Sequence, residues 1–398
     1  MKMDWDAESP AMKKSYDSFT IYFTRLGENQ AFITVNISDS AADAQDVTCK
    51  IYEALFEHLK KQRLQIIYER IFCSLEYSDA VLKARRSVLE QVHPNEHFPF
   101  TLIQGHPVGR CGLAGIQLRA FDPSAPDDSI WTLFEHDKPV GKGWRRHGAT
   151  FIMLQNIFGN TEIEDRYQQT SDMFDRANSI LTEADFDFKY VLRTWIYISK
   201  ILDWYGEFNR ARNARFTEFG LLGRSEKVNT EAEKIYLPAS TGILGENPQG
   251  AVVTMDVLAV HQDSPNISVY HTTGSRQKSP YRYGSAFSRA MTLKEKDITH
   301  ILLSGTASID EHGKTVFLND PLNQIRHTLN VIKTLIAEEG ASLADIIEAT
   351  VFFKRPQDLI LYEQAAAEFG ISDLPAVYIM ADVCREDLMF EIDAVIAF

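Results

Sequence analysis

The apolar and polar positions of this chain follow two periods that alternate in blocks. Near the C-terminus LMFEIDAV (388–395) alternates every second residue, the pattern of a half-buried strand. That pattern sets Glu391 and Asp393 on one face and Leu388, Phe390, Ile392 and Ala394 on the other. Two acids in a closing apolar strand admit two explanations, an edge strand with a solvated face or an active-site acid. Upstream, QIRHTLNVIKTLIAEEG from Gln324 keeps the helical period and stops at Gly340. A short capped helix start (SLAD), an apolar strand (ATVFF) and a second helix (DLILYEQAAAEFG) follow, and DLPAVYIMADV leads into the closing strand.

The same order starts again at Gln168, with a helix, a turn, the strand RTWIYI and a second helix ending in EFG at 218–220. Matching Thr194 to Thr350 gives an offset of 350 − 194 = 156, which lays Gln168 on Gln324, Ile180 on Ile336 and Val191 on Ile347. YLPASTGI then answers DLPAVYI, and AVVTMDVLAV answers LMFEIDAVIA. A third copy begins with the strand AFITVNI, and its other strands are IIYERIFCSL, FPFTLIQGHPVG and LAGIQLRAF. This pattern predicts an α/β (α+β) chain of three βαβ repeats over 1–122, 123–262 and 263–398. The polar, turn-rich stretches 122–146 and 221–235 read as inserted loops.

Composition narrows the function classes. Hydrophobic residues make up 44% and charged residues 24%, an ordinary globular mix. No apolar run reaches membrane-spanning length, and MKMDWDAESP lacks the apolar core of a signal peptide, so a cytoplasmic location is expected. A net charge of −14 argues against nucleic acid and anionic membranes as partners, so an anionic substrate would need a local cluster of arginines. Cys49, Cys73, Cys111 and Cys384 lack metal-ligand spacing and read as free thiols. There is no Walker loop, dinucleotide glycine motif or HExxH, so neither metal nor cofactor is expected.

The third copy, through ILLSGTASID, its helix–strand unit and LMFEIDAVIA, resembles the RidA/YjgF family. Members of that family are trimers with clefts between subunits, so three copies in one chain imply an internal pseudo-trimer and a monomeric protein. The chain departs from the imine-hydrolysing members, whose catalytic Arg precedes the closing strand, because Val383 stands there. WYGEFNRARNARF (204–216), YLPASTGILG (236–245), SPYRYGSAFSRA (279–290) and VCREDLMFEID (383–393), in this order, resemble the chorismatases. Those enzymes remove pyruvate from chorismate without a cofactor.

Breaking the enol ether of chorismate requires protonation of the enolpyruvyl methylene carbon, giving an oxocarbenium ion. The acid must be positioned, shielded from water and raised in pKa. Glu391 fits, and the matching places in the other copies are read as Met255 and Gln117, so the acid occurs once. Asp393 is read as a supporting residue. Two substrate carboxylates call for cationic or phenolic partners, and the fork of Arg grips a carboxylate best. Tyr205 and Arg212, seven apart, share one helix face, and the resemblance makes both substrate-binding. Tyr283 and Arg289 are further candidates, Thr241 and Gly242 would bring backbone near the ligand, and Arg210 reads as a solvated position. The resemblance also implies that Cys384, seven residues before Glu391, marks the type that forms 3-hydroxybenzoate, although a lone buried Cys also serves as filler. Two alternatives remain. One is a hydrolytic chorismatase giving a dihydroxycyclohexadiene carboxylate. The other is a non-catalytic RidA-like protein binding a small carboxylate.

Overall fold

The structure is a computed structural model that describes residues 11–27, 29–38, 43–92, 98–107, 112–222, 237–262, 267–272 and 286–398. Its strands form three sheets. The first part of the chain supplies β1 (Ala11–Ser15), β2 (Phe19–Leu26), β3 (Gln30–Ile37), β4 (Gln65–Cys73), β5 (Thr101–Gln104), β6 (His106–Pro107) and β7 (Leu113–Phe121). The middle supplies β8 (Ser129–Glu135), β9 (Lys138–Arg146), β10 (Ala149–Phe158), β11 (Val191–Ile198), β12 (Ala239–Leu244) and β13 (Val253–Gln262). The last part supplies β14 (Ser268–His271), β15 (Ala290–Lys294), β16 (Thr299–Ala307), β17 (Ile346–Phe353), β18 (Ala376–Met380) and β19 (Phe390–Ala397). The sheet orders are β1-β2-β3-β7-β4-β5, β12-β11-β13-β10-β9-β8 and β14-β15-β16-β19-β17-β18-β6. The two-residue strand β6 leaves the first unit and pairs with β18, extending the third sheet.

Among the described residues six α-helices cover the outer faces: α1 (Ala44–Lys61), α2 (Ser78–Val92), α3 (Arg166–Glu183), α4 (Ile201–Glu218), α5 (Pro321–Ala337) and α6 (Leu359–Phe369). The first helix of each unit starts in the same way. Asp43, Asp165 and Asp320 each accept a hydrogen bond from the backbone N–H three residues on, at 2.9, 2.8 and 3.1 Å. Each unit has an apolar core between its sheet and helices. The opposite sheet faces meet in a fourth core shared by all three units, with Tyr68, Trp195 and Phe352 among its members. The chain is therefore a mixed α and β fold of three RidA-like units packed about a common centre.

That centre is polar as well as apolar. Arg70, Arg119 and Arg193 are fully or nearly fully buried there. Arg70 pairs with Asp256 at 3.5 Å, Arg119 with Glu348 at 2.5 Å and Arg193 with Asp393 at 3.2 Å, and each pair joins two units. All three guanidinium groups lie over the Trp195 ring, at 4.7–5.2 Å from its centroid.

Strand pairing corrects the repeat alignment. Each unit has a β-bulge at one place, after which Tyr68, Arg193 and Glu348 resume the ladder. The offset between the later units is therefore 348 − 193 = 155, and the capping aspartates agree, 320 − 165 = 155. Gln169, not Gln168, is then the counterpart of Gln324. The two glutamines do the same job, accepting from Val252 N and Met389 N at 2.7 and 2.8 Å. Counting along the ladders, Phe72, Tyr197 and Phe352 are equivalent, and their partners are Gly115, Thr254 and Glu391. Asp393 in turn matches Asp256 and Gln117. Met255 and Gln117 are therefore not the counterparts of Glu391. A slip of one residue reverses the face of a strand, and Met255 packs toward its own helices. The acid at 391 still occurs once, whereas the acid at 393 recurs at Asp256.

Residues 122–146 are not an inserted loop. β8 and β9 form a hairpin that turns at His136 and Asp137, both at positive φ (47 and 61°). One face of β8 is largely exposed, so the segment looked polar although it pairs. The stretch 223–236, which holds most of the other supposed loop, lies outside the described residues.

Candidate active site

β19 runs between β16 and β17 and is buried on both faces, which rules out a solvated edge strand. Its acid Glu391 is 5% exposed and opens into a cleft between the second and third units. The cleft has about 560 Å³ of space, a figure that includes its opening to solvent. The second unit contributes Tyr205 and Arg212 from α4 and Ser240 and Gly242 from β12. The third contributes Phe287, Arg289, Gly305, Ile309, Cys384 and Arg385 around Glu391.

The walls are tied together by backbone and hydroxyl bonds. Ser304 Oγ accepts from Ser240 N at 2.8 Å and donates to Ser288 O at 2.6 Å. Ser288 N donates to Pro238 O at 3.0 Å, and Leu244 N to Asp382 O at 3.1 Å. Two units thus meet along a hydrogen-bonded seam, and the side chains facing the gap are held from both sides.

Glu391 has a carboxyl pKa pushed up to about 8. Burial is the largest cause and the charge of Asp393 adds to it, while Arg193 and Arg289 pull the other way. Asp393 lies behind the cleft, where it accepts from Thr241 Oγ1 at 2.7 Å and Arg193 Nη2 at 3.2 Å. Arg193 Nη2 also donates to Thr241 Oγ1 at 2.5 Å. Near neutral pH the site therefore holds a protonated carboxyl, the condition for a general acid.

Arg212 is 2% exposed, and burial lowers its pKa. Its Nη2 donates to Asn209 Oδ1 at 2.7 Å, while its Nε has no hydrogen-bond partner among the described residues. Arg212 and Arg289 both lie 5.9 Å from the Phe287 ring centroid. The cleft thus presents two guanidinium groups, with the Tyr205 phenol kept neutral by burial. Arg210 points to solvent near Glu207, and Arg215 pairs with Asp175 and Glu218. Neither is among the cleft residues.

Burial, reinforced by Glu391, pushes the Cys384 thiol up to about 12, so it meets a ligand as a neutral group. Arg385 Nη1 donates to Gly313 O at 2.6 Å, tying the connection after β16 to the cleft wall. Val383 is buried in the shared core. Tyr283 lies outside the described residues. Among the described residues, no group of His, Cys, Asp and Glu is arranged to hold a metal ion.

Two participants escaped the sequence reading. Arg193 had a usable signal, because a charged residue inside the apolar strand RTWIYI must find a buried partner. Gly305 had none, since it lines the cleft against a side chain 86 residues away (391 − 305).

Among the described residues, the other two junctions lack the acid. Between the first and second units, Asp256 accepts from Thr101 Oγ1 at 2.5 Å as Asp393 does from Thr241, but Thr254 stands where Glu391 would be. Between the third and first units that place is Gly115. A Cβ there would come within 2.8 and 2.9 Å of the two Val377 methyls.

The Endoribonuclease L-PSP family model matches residues 284–398. A curated protein from Streptomyces hygroscopicus named 3-hydroxybenzoate synthase is 27% identical over 320 residues, covering 72% of this chain and 86% of its own length. The crystal structure of a chorismatase superposes with a TM-score of 0.57 at 18% identity, covering 83% of this chain and 92% of the other.

Proposed function

We propose that this chain, which belongs to the chorismatase family and has the RidA-like fold, cleaves chorismate to pyruvate and 3-hydroxybenzoate. The carrying observation is a carboxyl with a pKa of about 8 facing two arginines across the cleft between the second and third units. Arg212 and Arg289 clamp the two substrate carboxylates, and Tyr205 donates its phenolic proton as a hydrogen bond. Glu391 delivers a proton to the enolpyruvyl methylene, and the ether carbon becomes an oxocarbenium ion. The ring hydroxyl attacks that cation from within the molecule. The hydroxyl proton is lost as that bond forms. The bond from the pyruvyl carbon to the former ether oxygen then breaks, leaving that oxygen on the ring as the phenol. The ring carbon's bond to the attacking oxygen breaks as the neighbouring ring carbon loses its hydrogen as a proton and the ring becomes aromatic. Pyruvate leaves with the attacking oxygen as its ketone oxygen and no water consumed. Glu391, left as a carboxylate beside Asp393, is poised to regain its proton.

Cys384 lines the wall next to the acid and, as a neutral thiol, shapes the space where the cation is captured. This supports internal capture over capture by water. Incubation with chorismate followed by chromatography decides among the readings. Pyruvate with 3-hydroxybenzoate is expected. Pyruvate with a dihydroxycyclohexadiene carboxylate would make the protein a hydrolytic chorismatase. Chorismate binding without pyruvate release would make it a carboxylate-binding protein.

A further inference from the structure

We infer that Asn209 is a positioning residue for the anion clamp: its neutral amide fixes the Arg212 guanidinium without neutralising it, so the charge of Arg212 is kept for a carboxylate of the ligand. Asn209 stands on α4 four residues after Tyr205 and three before Arg212, so the three side chains share one face of the helix. Its Oδ1 accepts from Arg212 Nη2 at 2.7 Å, and its amide also hydrogen-bonds the Tyr205 phenol. Asn209 is half-buried and is not one of the cleft-lining residues, whereas Tyr205 and Arg212 are. It therefore acts through them.

The kind of partner sets Arg212 apart. Arg70, Arg85, Arg119, Arg146 and Arg193 are buried, and each forms an ion pair with an aspartate or glutamate. On α4 itself, Arg210 lies near Glu207 and Arg215 pairs with Asp175 and Glu218. Arg212 is 2% exposed, yet among the described residues no carboxylate pairs with it. The groups it meets are the Asn209 amide, the Tyr205 phenol and the Cys384 thiol, all neutral at pH 7. A buried cation without a counter-charge destabilises a fold, and here a ligand anion would supply the missing charge. A carboxylate at 209 would grip the fork more strongly but would remove that demand. The amide offers the same acceptor oxygen without the charge, and its N–H, which a carboxylate lacks, reaches the phenol.

That the incoming anion is a carboxylate of chorismate rests on the function proposed above, whereas the unmet charge of Arg212 does not. Two variants separate this role from that of a brace that only holds α4. For a plain brace, aspartate has the same shape and is the better partner for arginine, so Asn209→Asp would keep native KM and Asn209→Ala would be the damaging change. The unmet charge ranks them the other way. Asn209→Asp should raise Tm at pH 7 and raise KM for chorismate about 100-fold with kcat much less changed, because an internal carboxylate now occupies the clamp. Asn209→Ala should lower Tm and raise KM only about tenfold, the loss of one hydrogen bond to a charged group.

Thermal unfolding in a second background checks the cause without substrate. The Tm gain of Asn209→Asp should vanish beside Arg212→Met, where no charge awaits a partner. Near-native KM in Asn209→Asp would overturn the inference. So would a lower Tm or a failure to fold in Asn209→Asp, or a Tm gain that survives Arg212→Met. If the unsubstituted chain releases no pyruvate from chorismate, the proposed function fails, and the two thermal comparisons still decide whether the amide leaves the charge of Arg212 unmet.

Discussion

Burial and the neighbouring Asp393 charge keep Glu391 protonated up to about pH 8, and that shift couples stability to catalysis. An unfolded Glu ionises near its ordinary value of about 4.3, whereas the folded one resists ionisation. The stability of the folded state is therefore fully present below the unfolded pKa and is lost as pH rises toward 8. At pH 7 the loss is about 4 kcal/mol, from roughly 1.4 kcal/mol for each pH unit above the unfolded value. Glu391→Gln keeps size and hydrogen bonding but cannot ionise or protonate carbon. It should release pyruvate at least 10²-fold more slowly, the lower end of what a positioned acid contributes. Its Tm should exceed that of the native chain at pH 7–8, with the gap closing toward pH 4–5. Near-normal turnover, or a Tm gap independent of pH, would dislodge Glu391 from its role. In the unsubstituted protein kcat should fall above about pH 8 as the acid deprotonates. Arg212→Ala should raise KM or abolish saturation, because losing a buried charge clamp typically costs about 2–5 kcal/mol. Lys should restore only part of this, since it lacks the fork. Unchanged kinetics in Arg212→Ala would remove it from the site. Cys384→Ala should shift product toward the dihydroxy-diene acid while pyruvate release continues, because protonation precedes the branch. An identical product profile would reduce Cys384 to packing.

At the scale of elements, the closing strand is held by side chains from a helix start. Gln324, in the first turn of α5, accepts from Met389 N at 2.8 Å and donates to Asp387 O at 2.8 Å. This fixes the approach to β19 and with it the height of Glu391 in the cleft. Gln324→Ala removes the partner of two part-buried backbone groups and should cost about 1 kcal/mol for each bond lost, seen as a lower denaturation midpoint. A midpoint equal to that of the native chain would show that water replaces both bonds. The helices were legible because their caps are local: Asp43, Asp165 and Asp320 precede helical periods. The hairpin β8–β9 was not, because its exposed face looks like loop until pairing is known. The alignment of β19 was one residue out against β13 and two against β7, and in the first case two adjacent glutamines, Gln168 and Gln169, gave the sequence equally good anchors. Only hydrogen bonding from Gln169 distinguishes them.

For the whole molecule, three sheets share one core and three buried Arg–acid pairs join the units. Each unit's inner face is covered by the other two, so a single chain completes the arrangement that separate subunits would otherwise form. Light scattering should give the mass of one chain, 45.2 kDa. An obligate trimer of whole chains would contradict internal closure. The sequence by itself determined what depends on neighbours along the chain. That includes the strand and helix periods, the capped starts, the repeated order of elements and the single acid at 391. Only the tertiary structure decided what depends on distant segments. It set which face each closing strand turns inward, because one residue of slip reverses a strand. It also joined Tyr205 and Arg212 to Glu391 across a unit boundary, and left Gly115 and Thr254 where the other junctions lack the acid. The raised pKa belongs to this second class. A carboxyl loses water only when other parts of the chain close over it, and here the covering residues come from the neighbouring unit as well as its own.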